Sequence, residues 1–178
     1  MFLETHRLLI RDLLPDDSFA FAQMAADGSL KDIGFDPNCS SWITAWQEEA
    51  TALAIQDDPK RDYLAYTVVL KDSLIPIGAV GCSYYEDLQQ TGITYFIGTP
   101  YRSNGYALEA VEAYLDYFSS HYPIQTLIGT VRAENIPSWK VLEKAGFRLT
   151  AKKQYRDIND AQEELYHFYE RVFPKKLP

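Results

Sequence analysis

The sequence predicts a mixed α/β (α+β) fold, in which a mostly antiparallel central sheet of about six or seven strands is flanked by about four helices. Two observations predict this fold. Short runs rich in β-branched and aromatic residues recur along the chain, and longer segments with apolar residues at helical spacing lie between them. Residues 92–118 show both patterns in succession, and the rest of the chain is organised around them.

The first predicted elements are a strand, a helix, a loop and a second helix. Arg7 to Leu13 alternates charged and apolar residues, which predicts a strand. The Pro-Asp-Asp-Ser run at residues 15–18 supplies caps and an acidic first turn for a helix that ends near Ala26. Residues 27–40 contain Gly and Pro with little periodicity, which indicates a loop, and Ser41 to Gln56 has the apolar spacing of a helix.

The middle of the chain predicts three strands in an antiparallel meander. Tyr63 to Leu70 and Ile75 to Tyr85 are strand-like runs, and the four residues between them are few enough for a hairpin. A third strand runs from about Gly92 to Ile97 and stops at Gly98. An amphipathic helix then carries apolar side chains at helical spacing, namely Ala107, Leu108, Val111, Leu115 and Phe118.

The last part of the chain predicts a strand, a short helix and two further strands. Gln125 to Arg132 is the strand, and Asn135 to Ala145 is the helix, with Gly146 placed for a left-handed C-terminal cap. Phe147 to Tyr155 and Glu164 to Phe173 are the final strands, separated by a polar turn at residues 157–160. Because no repeat or linker divides the chain, we expect one domain over residues 1–178, with 175–178 as a loose tail.

Composition restricts the partners that the protein is expected to have. The chain has 178 residues, of which 47% are hydrophobic, and 17 Lys and Arg stand against 25 Asp and Glu, for a net charge of −8. This charge disfavours nucleic acid and anionic membranes and favours cationic partners such as amines. The N-terminus lacks the apolar run of a signal peptide, and no window is apolar enough to span a membrane, so we expect a cytoplasmic protein.

The sequence supports neither a disulfide framework nor a metal site. Cys39 and Cys82 are far apart, and the three His residues are scattered without metal-ligand spacing. Cys82 lies inside an apolar strand, so we expect a buried thiol.

Residues 102–107, Arg-Ser-Asn-Gly-Tyr-Ala, connect the strand before Gly98 to the amphipathic helix and predict an anion site. Ser103 or Asn104 can cap the helix, and Gly105 has no side chain to block a close approach. The first backbone N–H groups of such a helix lie at the positive end of its dipole, which suits phosphate. A nucleoside-triphosphate loop would require Lys-Ser or Lys-Thr after its last Gly, and a dinucleotide fingerprint would require three spaced Gly.

This loop resembles the acyl-CoA-binding motif of the GCN5-related N-acetyltransferases (GNATs), which has the form Gln/Arg-x-x-Gly-x-Gly/Ala. A second resemblance follows about 30 residues later, where residues 133–147 are similar to the family pattern Asn-x-x-Ser-x-x-x-Leu-x-Lys-x-Gly-Phe. The opening Thr5 to Arg11 resembles the Thr-x-Arg-Leu-x-Leu-Arg strand of the ribosomal-protein N-terminal (RimJ/RimL-type) branch.

The resemblance implies acetyl transfer from acetyl-CoA, without a metal, to an amine. It implies that backbone amides of the loop hold the coenzyme A pyrophosphate, that an amide near the end of the central strand polarises the thioester carbonyl, and that Asn135 binds the pantetheine arm. The residues expected to bind the coenzyme are Phe96, Ile97, Gly98, Arg102, Ser103, Asn104, Gly105, Tyr106, Ala107, Asn135 and Ser138.

The acid–base residues depart from the family pattern at two positions. Gly92 stands where many relatives of the RimJ/RimL type carry a Glu base, and Leu142 stands where many other members carry a Tyr that protonates the thiolate. Ser138 is the nearest candidate donor, although a Ser near a helix start also serves as a simple backbone contact beside a capping Asn135. Glu86, Asp87 or solvent would take the amine proton.

The sequence leaves the acceptor open. The leading hypothesis is an N-acetyltransferase acting on a protein α-amino group or a small-molecule amine, and the alternative is a non-catalytic acyl-CoA-binding module of the same fold. A nucleic-acid-associated factor is disfavoured by the charge and by the lack of a binding motif. A homodimer is compatible with the sequence.

Overall fold

One mixed sheet with helices on both faces organises the chain. The computed structural model describes residues 1–30, 38, 41–157 and 160–174. The strands are β1 (Phe2–Glu4), β2 (Leu8–Arg11), β3 (Tyr63–Leu70), β4 (Pro76–Tyr85), β5 (Gln90–Ile97), β6 (Thr126–Arg132), β7 (Arg148–Tyr155) and β8 (Glu164–Val172). The helices are α1 (Asp17–Ala26), α2 (Ile43–Gln56), α3 (Tyr106–His121) and α4 (Ile136–Lys144), and a short 3₁₀ turn covers Thr99–Tyr101.

The sheet order confirms the predicted mixed and mostly antiparallel fold. The strands follow the order β1-β2-β3-β4-β5-β6-β8-β7, and every neighbouring pair is antiparallel except β5 and β6. Within the described residues the sheet has eight strands, one more than the upper end of the prediction. The additional strand is Phe2–Glu4, which has only three residues and is therefore too short to show alternation in the sequence.

Some sequence expectations fall on residues that the structure does not describe. These are Cys39, most of the predicted loop at residues 27–40, residues 158–159 of the polar turn, and the tail at 175–178. Cys82 is described, and its thiol is buried as expected. Burial raises the pKa of this thiol to about 12, so it stays protonated at neutral pH.

The core forms on both faces of the sheet. On one face α3 packs its buried side chains, among them Val111, Leu115 and Phe118, against the inner strands. On the other face α1 and α2 enclose a smaller cluster that includes Phe21, Ile43 and, from the strands, Phe96. The central strand β5 therefore contributes to both layers, because its side chains alternate between the two faces.

The start of α1 differs from the predicted capping. Asp16 occupies the N-cap position but makes no side-chain capping hydrogen bond. Asp17 is buried instead, and its carboxylate accepts hydrogen bonds from the Arg11 guanidinium at 2.7 and 2.8 Å, the Leu14 amide at 2.9 Å and the Thr67 hydroxyl at 2.7 Å. The predicted cap is thus wrong, because the acidic side chain connects α1 to β2 and β3 rather than to its own helix.

The strands β5 and β6 separate soon after they meet. The register pairs them in parallel at Gly92 and Ile128, whereas β4 and β5 stay paired as far as Gly78 and Ile97. The second half of β5 therefore lies beside a gap on its β6 side. Because β6 leads into α4 and β5 leads into the loop before α3, this gap brings both sequence motifs to one place.

No helix within the described ranges is long and apolar enough to cross a membrane. The same residues contain no group of three or more His, Cys, Asp or Glu side chains that could hold a metal ion.

We predict that Asp17→Ala destabilises the protein by about 3 kcal/mol at pH 7, because it leaves Arg11 without its buried carboxylate partner. Burial opposes ionisation of Asp17, but the hydrogen bonds from Arg11, Leu14 and Thr67 outweigh it and lower the pKa of this carboxyl. The stabilisation is therefore complete above the unfolded pKa of about 3.9 and is lost as the pH falls through the lower folded value.

Urea unfolding at pH 7 and across the acid range measures this effect. Asp16→Ala is the matched control, because Asp16 is exposed and its side chain makes no capping bond. Equal stability of the two variants at pH 7 would contradict the structural role assigned to Asp17.

Candidate active site

The pairing of β4 with β5 determines which backbone groups face the gap. The Gly98 amide donates to the Ile77 carbonyl at 2.8 Å, so this amide points toward β4. Successive residues of a strand point their N–H groups to opposite sides. The Phe96 N–H therefore also points toward β4, whereas the N–H groups of Tyr95 and Ile97 point toward the gap. Of the three residues at 96–98 that the sequence singles out, Ile97 is the one whose N–H lies on the open side.

The loop before α3 presents backbone groups without a side-chain cap. Gly105 is the N-cap residue of α3 and has a φ of +81°, a conformation that favours Gly. The predicted capping by Ser103 or Asn104 is wrong. The Asn104 side-chain amide turns back instead and donates to the carbonyls of Tyr101 at 3.1 Å and Arg102 at 2.9 Å. The first amides of α3 thus lie at the positive end of the helix dipole with no capping side chain over them.

The N-terminal segment supports this loop through Arg7. Its guanidinium donates to the Glu109 carboxylate at 2.7 Å and to the Asn104 carbonyl at 2.8 Å, and it lies 4.5 Å from the centre of the Tyr106 ring. Glu109 also accepts from the Thr5 hydroxyl at 2.6 Å and from the Arg7 amide at 2.8 Å. Desolvation would raise the pKa of Glu109, but the hydrogen bonds from Thr5 and Arg7 lower it, so the carboxylate stays ionised and paired.

Arg102 ties the loop to two other parts of the chain. Its Nε donates to the Ile97 carbonyl at 2.9 Å and its Nη2 donates to the Ser29 carbonyl at 2.7 Å. The Ser29 hydroxyl in turn donates to the Thr99 hydroxyl at 2.9 Å and accepts from the Thr99 amide at 2.8 Å. The end of β5, the turn after α1 and the loop are therefore held together as one unit.

The other wall of the gap is the first turn of α4. Asn135 caps this helix, because its side-chain oxygen accepts from the Ser138 amide at 3.3 Å. The Ser138 hydroxyl lies 2.9 Å from the Tyr95 hydroxyl, and the Tyr95 hydroxyl also donates to the Ser138 carbonyl at 2.8 Å. The sequence did not single out Tyr95, because a Tyr in a strand is ordinarily a packing residue.

A cavity of about 1320 Å³ is lined by residues of both β5 and α4. Its lining includes Tyr95 and many of the predicted site residues, namely Phe96, Arg102, Asn135, Ser138, Glu86 and Asp87. Other predicted site residues lie next to this lining along the chain, at the end of β5, in the loop that leads into α3 and in the first turn of α3, namely Ile97, Gly98, Ser103, Asn104, Gly105, Tyr106 and Ala107.

Glu86 and Asp87 line the far end of this cavity. They lie in the turn between β4 and β5, before Gln90, whereas Ile97 ends β5. The seven residue steps from Gln90 to Ile97 at about 3.4 Å per residue correspond to roughly 24 Å. The structure therefore does not bring either carboxylate to the Ile97 amide. Ser138 contacts Tyr95, which is five residue steps, or roughly 17 Å, from Gln90.

Comparisons with known proteins identify the family of this chain. Residues 7–148 match the family model described as the acetyltransferase (GNAT) domain. The chain is 28% identical over 150 residues to the uncharacterized N-acetyltransferase YnaD of Bacillus subtilis (strain 168), covering 83% of each protein. A GNAT-family acetyltransferase structure from Bacillus anthracis has a TM-score of 0.80 at 22% identity, covering 97% of this chain and 98% of that one.

A further solved structure contains the coenzyme. RimL, a ribosomal L7/L12 α-N-protein acetyltransferase in complex with coenzyme A, shares the fold with a TM-score of 0.74 at 12% identity, covering 97% of this chain and 98% of that chain. The family model spans well over half of the sequence and includes both motifs and the gap between them, and the chain therefore belongs to the GNAT acetyltransferase family.

Proposed function

We propose that this protein transfers the acetyl group of acetyl-CoA to a primary amine, which is either a protein N-terminal α-amine or a small-molecule amine. The observation that carries the proposal is the parting of β5 from β6, which leaves the Ile97 N–H on the unpaired side of β5, one residue after the cavity-lining Phe96 and shortly before the uncapped start of α3 in the chain. One wall thus offers a donor for a developing oxyanion, and the loop offers several donors for phosphate.

The coenzyme fits this arrangement from the loop inward. Its pyrophosphate would lie on the amides at residues 103–107, where Gly105 permits a close approach. Its pantetheine arm would pass between β5 and α4 beside Asn135, which would place the thioester near Ile97. The structure of RimL with coenzyme A supports this assignment, because it shows the same fold with the coenzyme bound.

The reaction requires a polarised carbonyl and a stabilised leaving group. A neutral amine attacks the thioester carbon, and the Ile97 N–H would donate to the oxygen as negative charge develops there. The carbon–sulfur bond then breaks and leaves a thiolate. The Ser138 hydroxyl is the proposed hydrogen-bond donor to that sulfur, because it lies on the first turn of α4 and lines the cavity.

The proton lost by the amine is proposed to pass to water rather than to a carboxylate. Glu86 and Asp87 lie in the distant hairpin turn, so we propose that cavity water carries this proton away. A thiolate has an unperturbed thiol pKa of about 8.5, so at neutral pH it takes up a proton from water readily.

Two observations support an amine as the acceptor, the net charge of the chain and the activity of a structural neighbour. The net charge of −8 favours a cationic amine over an anionic acceptor, and the RimL neighbour is an α-N-protein acetyltransferase. We propose further that the chain acts in the cytoplasm as one catalytic domain.

Release of free coenzyme A with a panel of amines and N-terminal peptides tests the function. Turnover with at least one acceptor, and mass-spectrometric detection of the acetylated product, is the expected result. Tight binding of acetyl-CoA without turnover of any acceptor would instead support the non-catalytic acyl-CoA-binding module.

We predict that Gly105→Asp weakens acetyl-CoA binding at least tenfold more than Gly105→Asn. Both side chains impose a similar backbone cost at a φ of +81° and have nearly the same shape, so the difference isolates the added negative charge beside the pyrophosphate. Calorimetric titration measures both affinities. Equal affinities in two folded variants would contradict the proposal that this loop binds the pyrophosphate.

We predict that Arg102→Ala weakens acetyl-CoA binding about five- to tenfold, or about 1 kcal/mol, because two hydrogen bonds that hold the Ile97 carbonyl and the Ser29 turn are lost. Arg61→Ala is the control, since Arg61 lines the same cavity but its guanidinium is exposed and contacts Gln56. A loss beyond a hundredfold would show that Arg102 contacts the coenzyme directly.

A further inference from the structure

We infer that Tyr95 is a positioning residue, whose phenol fixes the Ser138 hydroxyl so that it donates to the leaving thiolate of coenzyme A. The inference rests on the proposed acetyl transfer and adds a residue to its leaving-group side. It is drawn from a pair of hydroxyls that spans the gap, one on the central strand and one on the facing helix.

The geometry of the pair restricts the serine side chain. The Tyr95 oxygen lies 2.8 Å from the Ser138 carbonyl oxygen and 2.9 Å from the Ser138 hydroxyl oxygen. A single phenol that contacts both oxygens of one residue holds that side chain in one rotamer. The Ser138 amide donates to the Asn135 side chain, which caps the helix. Among its described contacts, the Ser138 hydroxyl bonds to the Tyr95 hydroxyl and to no backbone group of its own helix. Its orientation therefore depends on Tyr95.

The position of Tyr95 follows from the parting of the strands. Tyr95 lies beyond the last pairing of β5 with β6, and its side chain packs on the face that carries α3 and α4. Leu142 is buried one turn further along α4 and offers no polar group. Within the described lining of the cavity, Tyr95 and Ser138 are the hydroxyls that reach from β5 to α4.

The Tyr95 phenol stays protonated, so it serves as a hydrogen-bond donor and not as a source of protons. Desolvation raises the pKa of Tyr95 well above its usual value, and the hydrogen bond with Ser138 offsets only part of this rise. Tyr95 therefore stays neutral throughout the reaction. Its O–H can turn from the Ser138 carbonyl to the Ser138 hydroxyl oxygen, which frees the serine proton to face the sulfur.

The atoms and charges balance without ionising either hydroxyl. When the carbon–sulfur bond breaks, the electron pair stays on sulfur, and Ser138 donates a hydrogen bond to it while Tyr95 donates to Ser138. The proton released by the amine nitrogen, carried by cavity water, converts the thiolate to the thiol. The hydroxyl pair lowers the energy of the separated charge and is unchanged at the end.

The pKa of the coenzyme A thiol bound to the protein tests the inference without requiring turnover. The absorbance of the thiolate is followed against pH for the wild type, Tyr95→Phe, Ser138→Ala and the double variant, each corrected by its own coenzyme-free titration. We expect the bound thiol to titrate below its unperturbed value of about 8.5 in the wild type and roughly one unit higher in Tyr95→Phe. The double variant should match Ser138→Ala, because both changes remove one coupled interaction.

Tyr85→Phe is the matched control. Tyr85 lines the same cavity, but its hydroxyl contacts Thr130 at 3.2 Å rather than Ser138, so its thiol titration and its kcat should equal those of the wild type. With an acceptor that supports turnover, Tyr95→Phe should lower kcat about five- to tenfold and leave the KM for acetyl-CoA within about twofold. The melting temperature and coenzyme affinity of each variant establish that it is folded.

The role of Tyr95 and the proposed acetyl transfer are contradicted by different results. A thiol titration of Tyr95→Phe that equals that of Tyr85→Phe would overturn the role of Tyr95 and leave the proposed acetyl transfer intact. If the shifts in thiol pKa caused by Tyr95→Phe and Ser138→Ala add up in the double variant, the two hydroxyls act separately. A wild type that binds no coenzyme A would overturn the proposed function, and this inference with it.

Discussion

The separation of β5 from β6 is the constraint on which the rest of the site depends. In a continuous parallel pair, the N–H groups of Tyr95 and Ile97 would be used by the neighbouring strand. Because the register ends at Gly92 and Ile128, these groups lie on an unpaired side of β5 instead, and α4 can approach the side chain of Tyr95. The site is therefore built from a place where regular pairing stops, while β4 keeps the other side of β5 fixed.

The surroundings of the loop explain how an acidic protein can offer an anion site. The first turn of α3 contains Glu109, whose charge would oppose a pyrophosphate. Arg7 pairs with this carboxylate and Thr5 donates to it, so its charge is neutralised locally. The net charge of −8 acts over the whole surface and is screened by salt over about 10 Å at 0.1 M, whereas the backbone amides act at contact. Local geometry thus prevails over net charge.

Much of the fold was predictable because its helices and strands have strong periodic patterns. Among the described residues, the four helices and seven of the eight strands lie where the sequence predicts them, and Gly146 has the left-handed conformation that its position after α4 predicts. The site was predictable only as far as short motifs reach. Which amide of residues 96–98 faces the gap depends on the register with β4, and no local pattern encodes that register. The caps were mispredicted because Asp17 and Asn104 have distant or backward partners that only the folded chain supplies.

Amide-resolved hydrogen exchange of the wild-type protein tests the central claim most directly. We predict that in the free protein the Ile97 amide exchanges quickly, while the Phe96 and Gly98 amides are protected by β4. Acetyl-CoA should slow exchange at Ile97 and at the first amides of α3, whereas coenzyme A, which lacks the thioester carbonyl, should slow only the latter. An Ile97 amide that is already protected in the free protein, or that acetyl-CoA leaves unchanged, would contradict the account.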